Sequence, residues 1–274
     1  MGSPNNELPS VELPQVAVII ANHNYGQWLP QAIASAVEQD YPFKEIVIVD
    51  DGSTDDSLEI LSQLCPDKDN KDYTGLASVR YGNIGNVKIT AYGDFAKVSY
   101  PAVGPAAARN KALKNHLKQN QLFAILDADD YWAKDKLSKS VGQFMINPEN
   151  LGAVYTDNYS LNVHNGNIIR EYRESFDINR LLEHNMIHSG CVISKQALEA
   201  VGLYDEEMRV AEDYDLWIRI AERFLILHIP EPLVTIRVGQ HNTGNSISKE
   251  IWNQNWQRIS QKIQERNNAT RNHH

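Results

Sequence analysis

Apolar residues occur along this chain in two alternating patterns. Buried strands are predicted at residues 16–21, a continuous apolar run, and at residues 45–49, where four apolar residues follow Glu45; each strand is followed by apolar residues at helical spacing. The two helical sets are Trp28, Leu29, Ala32, Ile33 and Ala36, and then Leu58, Leu61 and Leu64. Strands that alternate with helices predict an α/β fold with a mostly parallel central sheet flanked by helices.

The alternation is interrupted between residues 67 and 100. Glycines punctuate two short segments there, near residues 87–90 and 96–99, and these segments predict strands of an insertion. Residues 104–117 begin with Gly-Pro and continue as an alanine-rich stretch, which predicts a helix.

An acidic turn, Asp127-Ala128-Asp129-Asp130, follows a strand predicted at residues 123–126. Carboxylates at a strand's end are the hard oxygen ligands that Mg²⁺ and Mn²⁺ prefer, together with water and substrate phosphate. The alternative is that Asp129 and Asp130 cap the following helix, whose apolar positions recur at helical spacing (Leu137, Val141 and Phe144). The turn itself leaves both interpretations open.

Composition limits the class of protein. A chain of 274 residues with 42% hydrophobic content can bury one substantial core, and its net charge of −9 argues against a general nucleic-acid binder. The two cysteines, Cys65 and Cys191, form neither a metal-ligand pair nor a disulfide framework, so a reducing cytoplasm is expected. No apolar run approaches the length of a membrane span.

Two further polar turns follow the first two predicted strands. Asn22, His23 and Asn24 follow the first strand, and Asp50 and Asp51 follow the second. The carboxyl ends of parallel strands meet at one edge of the sheet, so these turns and the acidic turn should converge on a nucleotide. Ordinary turn chemistry is the alternative. Neither a Gly-x-Gly-x-x-Gly fingerprint nor a Walker phosphate loop is present, which disfavours a dehydrogenase and a P-loop kinase.

A fourth polar segment, Glu212-Asp-Tyr-Asp215, opens a predicted helix with an apolar face. Acids are favourable at a helix N-terminus, which explains them without catalysis. A general base must also point at the substrate and have a suitable pKa. Asp213 and Asp215 lie at the two borders of the apolar face, so periodicity does not choose between them.

Taken together, these segments resemble the inverting family 2 glycosyltransferases of the GT-A fold, over about residues 14–248. The matching segments are Val16-Ala-Val-Ile-Ile-Ala-Asn-His-Asn24, Ile48-Val-Asp-Asp-Gly-Ser-Thr-Asp55, Ala107-Ala-Arg-Asn110, Leu126-Asp-Ala-Asp-Asp-Tyr-Trp132 and Glu212-Asp-Tyr-Asp-Leu-Trp217. The resemblance implies transfer of a sugar from a nucleotide-diphosphate sugar to an acceptor hydroxyl, with inversion in one displacement. The implied fold is one GT-A domain, with a nucleotide-sugar half at residues 14–130 and an acceptor half at residues 131–248.

The resemblance also implies roles for individual residues. Asp213 corresponds to the general base and Asp129 to a ligand of Mn²⁺ or Mg²⁺, with His241 as a second candidate ligand. Asp50 corresponds to a base contact and Asp127 to a ribose contact, whereas His23 stands where the family often has a tyrosine. The implied donor-binding residues are Ala21, Asn22, His23, Asn24, Asp50, Asp51, Arg109, Asp127 and Ala128, although a surface salt bridge is an alternative for Arg109. Secondary candidates are Glu212, Arg237, Asp130 and His188; for the segment around His188, a plain buried strand is the alternative.

The two ends of the chain are expected to lie outside the catalytic domain, as a flexible segment at residues 1–13 and an amphipathic helix at residues 249–274. This helix carries basic residues and either docks on the domain or contacts a membrane surface or a second subunit. The expected acceptor is a glycan, a lipid-linked molecule or another hydroxyl compound. A UDP-sugar is the expected donor, and the cytoplasm or the inner face of its membrane is the expected location. Two alternatives stay open: a noncatalytic nucleotide-sugar or glycan-binding module, and a sugar nucleotidyltransferase.

Overall fold

The computed structural model describes residues 12–69, 78–95, 102–147, 149–239 and 247–271. Within these ranges the strands are β1 (Val16–Asn22), β2 (Lys44–Asp50), β3 (Asp67–Asp69), β4 (Ser78–Ile84), β5 (Val87–Gly93), β6 (Leu122–Asp127), β7 (Tyr131–Trp132), β8 (Leu151–Asn162), β9 (Ile168–Glu171), β10 (Val192–Ser194) and β11 (Leu225–Val238). The helices are α1 (Leu29–Val37), α2 (Ser57–Leu64), α3 (Pro105–His116), α4 (Lys136–Ile146), α5 (Ile178–Glu183), α6 (Lys195–Val201), α7 (Glu212–Ala221) and α8 (Lys249–Arg271).

One mixed sheet contains all of these strands, in the order β3-β4-β5-β2-β1-β6-β10-β8-β11-β7, with β9 paired to β8. The neighbouring strands β5, β2, β1 and β6 are parallel, and antiparallel pairs flank them on both sides. The central strands β1 and β6 are buried on both faces, which explains why they are continuous apolar runs. The α/β architecture predicted from the alternating pattern is confirmed.

The interpretation of residues 87–90 as part of an insertion is wrong. β5 pairs in parallel with β2, so it extends the central sheet, and β4 returns antiparallel beside it. The glycines around the turn between β4 and β5 are typical of an insertion outside the sheet, but five consecutive residues of β5 are buried in the core. The second predicted segment, residues 96–99, lies outside the described residues, as does most of the predicted flexible N-terminus.

Two cores cover the two faces of the sheet. Side chains alternate along β1, so that Ala17 and Ile19 face a core formed with α3 and α7, whereas Val18 and Ile20 face a core formed with α1 and α4. Both cores are built largely from fully buried aliphatic residues. The strands are therefore held firmly, and the positions of their carboxyl ends are well determined.

Strand register brings three of the predicted turns together. Asn22 at the end of β1 pairs with Asp50 at the end of β2, and Ala21 pairs with Asp127 at the end of β6. Parallel pairing in register therefore aligns the polar residues that follow three different strands on one edge of the sheet.

The C-terminal helix α8 packs on the domain. Ile259 is buried in the core beside α7, and the Trp256 ring lies edge-on to the Tyr214 ring, 5.1 Å between centroids. Lys262 forms an ion pair with Asp215 (2.7 Å), and Arg266 forms one with Glu222 (2.7 Å) at the other end of α7. The docked arrangement predicted as one alternative for this helix is confirmed.

Candidate active site

The residues that end β1 and β2 form a hydrogen-bonded floor at this sheet edge. The side-chain nitrogen of buried Asn22 donates to Asp50 Oδ2 (2.7 Å) and to Ser53 Oγ (3.1 Å). Ser53 donates to Asp50 through both its backbone N–H and its hydroxyl (3.0 and 2.7 Å). Burial raises the pKa of Asp50, whereas these hydrogen bonds oppose that rise. Asn22 and Asp50, predicted to converge, are thus in direct contact.

His23 is held in one tautomer at the surface of this floor. Its Nδ1–H donates to the backbone carbonyl of Asp51 (2.7 Å), and its Nε2 therefore accepts from the side chain of Asn24 (3.2 Å). The ring is exposed but fixed in orientation by contacts on both nitrogens. It offers a flat, immobilised surface next to the backbone of Asp51, as contact with a nucleobase requires, and its predicted role stays a prediction.

Asp51 fastens the start of α3. Its two carboxylate oxygens accept hydrogen bonds from the backbone N–H groups of Val103 (2.9 Å) and Gly104 (2.8 Å). Gly104 precedes the helix with a φ of 101°, a conformation that favours glycine. Asp51 therefore helps to position the helix that carries Arg109. The predicted role of Asp51 was a donor contact, and this structural role was not predicted.

The acidic turn is compact and crowded. The backbone N–H of Asp130 donates to the carbonyl of Asp127 (3.0 Å), and both Asp129 and Asp130 are only 6% exposed. Burial and the nearby charges of Asp129 and Asp127 raise the pKa of Asp130 well above its usual range. The alternative that Asp129 and Asp130 cap the next helix is wrong, because α4 begins at Lys136, after the intervening strand β7.

Arg109 joins the acidic turn to the start of α7. Its guanidinium is buried and donates to Asp127 Oδ1 (2.7 Å) and to Glu212 Oε1 (2.6 Å). It also lies over the ring of Tyr204, 5.4 Å from the centroid. The alternative of a surface salt bridge is therefore wrong. Arg109 therefore lies between Asp127 and Glu212, which are 85 positions apart in the sequence.

The structure distinguishes Asp213 from Asp215. Asp215 is fully buried and ion-paired with Arg219 (2.8 Å) and Lys262 (2.7 Å), so it fastens α7 to its surroundings. Asp213 instead lies within the electrostatic influence of Glu212, Arg109 and Asp127. Burial, followed by the neighbouring charge of Glu212, raises the pKa of Asp213 to about 7, although Arg109 opposes that rise.

His188 is a neutral, structural residue. Its Nδ1 accepts from the backbone N–H of Gly190 (3.0 Å), and its Nε2–H donates to the carbonyl of Thr156 (3.0 Å). Burial lowers the pKa of His188 to about 3. Residues 187–191 have an irregular backbone, so the alternative of a plain buried strand is wrong. The same segment supports the site through Ser189, whose hydroxyl donates to Asp127 Oδ2.

Arg237 holds the acidic turn from the other side. Its backbone N–H donates to Asp130 Oδ1 (2.9 Å), and its guanidinium donates to the carbonyl of Asp129 and to Gln31 Oε1. Its side chain also lies over the ring of Tyr131, 5.0 Å from the centroid. Arg237 therefore contacts the acidic turn, and its role in binding stays a prediction, while His241 lies outside the described residues.

Sequence reasoning missed the hydroxyl side chains that hold the site carboxylates. Ser53 lies three positions after Asp50, and this Asx-type turn spacing could have revealed their contact. Ser189 lies 62 positions from Asp127, and no local pattern relates the two residues.

The carboxylates at this edge fit a divalent cation that takes few ligands from the protein. In the described part of the chain, no three or more histidine, cysteine or acidic residues form a group that could hold a metal ion. Mg²⁺ and Mn²⁺ in nucleotide sites need only one or two carboxylates, because phosphate oxygens and water complete the shell. Asp129 lies among buried negative charges that raise the pKa of Asp130, and a cation would relieve this repulsion.

Comparison with known proteins identifies the family. The family model described as glycosyl transferase family 2 matches residues 17–85 and 89–202. This chain belongs to glycosyl transferase family 2. The match includes β1, β2, α3 and the acidic turn, and it ends before α7.

Several curated proteins are similar to this family 2 chain. It is 29% identical over 244 residues to the putative teichuronic acid biosynthesis glycosyltransferase TuaG of Bacillus subtilis, covering 87% of this chain and 83% of TuaG. An uncharacterized glycosyltransferase of Rickettsia felis is 31% identical, over 84% of this chain and 34% of that protein. Chondroitin synthase of Pasteurella multocida is 26% identical, over 77% of this chain and 19% of that protein. The chain thus spans a minor part of two of these three relatives.

Solved structures confirm the fold. Staphylococcus aureus TarS 1-349 in complex with UDP-GlcNAc superposes with a TM-score of 0.61 at 19% identity, over 85% of this chain and 61% of that chain. The mannosyltransferase PcManGT from Pyrobaculum calidifontis, in complex with GDP-Man and Mn²⁺, has a TM-score of 0.55 at 18% identity, over 85% and 59%. The predicted GT-A architecture is therefore confirmed. Among the described helices, none has both the length and the apolar composition needed to cross a bilayer.

Proposed function

We propose that this family 2 glycosyltransferase moves a sugar from a UDP-sugar to an acceptor hydroxyl, with inversion, in a single displacement. The acceptor oxygen attacks the anomeric carbon, the bond from that carbon to the diphosphate breaks, and the acceptor proton passes to Asp213. The observation that carries the proposal is the convergence of the Asn22–Asp50 floor, the acidic turn and Asp213 at one edge of the sheet.

Asp213 suits the task of a general base. A base is most effective when its pKa lies near the working pH, and burial with the charge of Glu212 raises the pKa of Asp213 to about 7. Its carboxylate accepts the backbone N–H of Tyr214 (2.7 Å), which limits how the side chain can turn. Asp215 is less suited to accept a proton, because it is ion-paired with Arg219 and Lys262.

The acidic turn suits the diphosphate end of the donor. Asp129 would hold the divalent cation, Mn²⁺ or Mg²⁺, and Arg237 supports Asp129 through its backbone carbonyl. When bound, the cation would offset negative charge on the departing diphosphate. Asp127 is ion-paired with Arg109 and accepts a hydrogen bond from Ser189, and its side chain is 27% exposed. Asp127 is proposed to contact the ribose.

Uracil is the proposed base of the donor nucleotide. Asp50 can accept a hydrogen bond from the base, and the fixed ring of His23 can stack against it. TarS has been crystallised with UDP and with UDP-GlcNAc, which supports a UDP-sugar here, whereas GDP-Man is bound in PcManGT. The test below therefore includes both bases.

Polysaccharide synthesis at the cell envelope is the proposed setting. The names of TuaG and chondroitin synthase both refer to polymers of sugars, so a glycan or lipid-linked acceptor fits. The proposed location is the cytoplasm, including the inner face of the membrane, where α8 could also meet a lipid surface or a second subunit. The basic residues Arg258, Lys262 and Arg266 of α8 are already ion-paired to the domain, which leaves less charge for such a contact.

Release of nucleoside diphosphate tests the proposed function. The protein is incubated with UDP-GlcNAc, UDP-glucose or GDP-mannose, with Mn²⁺ and a candidate acceptor, and UDP, GDP and pyrophosphate are quantified. Diphosphate release that Asp213→Asn abolishes while donor affinity is kept supports the proposal. Pyrophosphate release would indicate a nucleotidyltransferase, and donor binding without any release would indicate a noncatalytic binding module.

A further inference from the structure

Glu212 and Arg109 form a buried ion pair beside the proposed base. Arg109 is 5% exposed and Glu212 is 7% exposed, and the distance between Nη1 and Oε1 is 2.6 Å. The second guanidinium nitrogen contacts Asp127 Oδ1 (2.7 Å). One guanidinium thus serves two carboxylates, and its contact at the start of α7 is with Glu212 rather than with its neighbour Asp213.

This choice of partner matters for the chemistry of Asp213. A carboxylate that is ion-paired directly with a buried arginine is a weak base, since the pair stabilises its charged form. The guanidinium pairs with Glu212, and among the described residues the hydrogen bond identified at the Asp213 carboxylate comes from the backbone N–H of Tyr214. The negative charge of Glu212 further favours protonation of Asp213.

We propose that Glu212 is a positioning residue, which holds the Arg109 guanidinium away from Asp213 and thereby keeps Asp213 able to take a proton from the acceptor. The proposal rests on the role of Asp213 in the proposed function. Glu212 itself touches neither donor nor acceptor in this account, and it acts only through Arg109 and Asp213.

The groups around Asp213 allow the effect to be isolated. Glu212 lies on the same helix, Arg109 comes from α3, Asp127 from β6, and the Cys191 thiol and the Tyr204 hydroxyl from neighbouring segments. Burial raises the pKa of both Cys191 and Tyr204, so both are neutral near pH 7. Glu212, Arg109 and Asp127 are therefore the charged groups, among these five, whose removal can change the basicity of Asp213.

The first test is Glu212→Gln, which keeps the size of the side chain and removes its charge. Arg109 then lacks one anionic partner, so its positive charge stabilises the charged form of Asp213 more strongly. The side-chain carboxyl resonance of Asp213 is followed by NMR in protein labelled with ¹³C-aspartate, and its assignment is the signal that Asp213→Asn removes. The expected titration midpoint falls by about one pH unit or more, and an unchanged midpoint would overturn the proposal. This readout does not depend on sugar transfer.

Kinetics and a control complete the test. The acidic limb of kcat for UDP release should move down with the NMR midpoint in Glu212→Gln, while UDP affinity stays near that of the unaltered protein. Glu222→Gln makes the same change at the other end of α7, where Glu222 pairs with Arg266, and it should move neither quantity. In the double variant Glu212→Gln/Arg109→Met the midpoint should return upward, because the guanidinium is gone. A kcat loss with no change of either midpoint would mean that Glu212 only supports the fold; absence of transfer in the unaltered protein would instead refute the proposed function.

Discussion

Replacing Lys136 with methionine should stabilise the protein. Lys136 is fully buried at the start of α4, and its ammonium has no hydrogen-bond partner among the described residues. The ammonium lies over the Trp132 ring, whose centre is 4.4 Å from Nζ. Burial lowers the pKa of Lys136 from 10.5 to about 8. A charge in this position is costly, because no hydrogen bond from the described residues replaces those that water would make.

The magnitude follows from the two pKa values. Each pH unit of difference corresponds to ~1.4 kcal/mol, so keeping Lys136 charged at pH 7 costs about 3 kcal/mol. Methionine has a similar length and no charge, but it forfeits the cation–π contact, worth about 0.5 to 2 kcal/mol. The net expectation for Lys136→Met at pH 7 is a stabilisation of about 1 to 2 kcal/mol.

Urea unfolding at two pH values measures this effect. Unfolded Lys136 keeps its proton up to 10.5, whereas the folded state releases it above about 8, so the unaltered protein gains stability relative to the variant between these values. The advantage of Lys136→Met should therefore shrink from pH 7 to pH 10. Lys139→Met is the matched control on the same helix; Lys139 is ion-paired at the surface, and little change is expected. Destabilisation by Lys136→Met at pH 7, or an advantage that does not depend on pH, would refute the reasoning.

Three other predictions follow from the site. The rate of sugar transfer should rise about tenfold per pH unit below pH 7 and level off above it, because Asp213 has a pKa of about 7 and acts unprotonated; a flat profile from pH 5 to 8 would contradict this. Asp51→Ala should lower the free energy of unfolding by about 1 kcal/mol, since two backbone N–H groups before α3 lose their acceptor, and an unchanged urea midpoint would count against that contact. Asn22→Ala should weaken UDP binding in calorimetry, because Asp50 loses a hydrogen bond that orients it; undiminished affinity would show that Asp50 needs no such support.

Much of the fold was predictable because burial on both faces leaves a clear trace in the sequence. β1 and β6 are parallel central strands, so their residues are apolar without alternation, and the turns that follow them carry the polar chemistry. β5 was misread, because its neighbouring glycines and short length are equally typical of an inserted hairpin. Membership of the sheet was decided by pairing with β2, which local sequence does not encode.

The candidate site was predictable as a set of segments but not as a set of contacts. Asp213 and Asp215 are equivalent in periodicity. Lys262, which pairs with Asp215 and not with Asp213, helps to distinguish them, and it comes from the C-terminal helix 47 positions beyond Asp215. The bridge through Arg109 likewise joins segments that are distant in sequence. Such choices depend on tertiary packing, and a pattern along one chain cannot contain them.

The most direct test of the central claim is calorimetric titration with UDP, GDP and dTDP, each with and without Mn²⁺, on the unaltered protein and on Asp129→Ala. The account predicts that UDP binds with Mn²⁺ present, that affinity falls sharply without Mn²⁺, and that Asp129→Ala loses the metal-dependent part. Absence of binding to all three nucleotides, or UDP binding that neither Mn²⁺ nor Asp129→Ala changes, would contradict it.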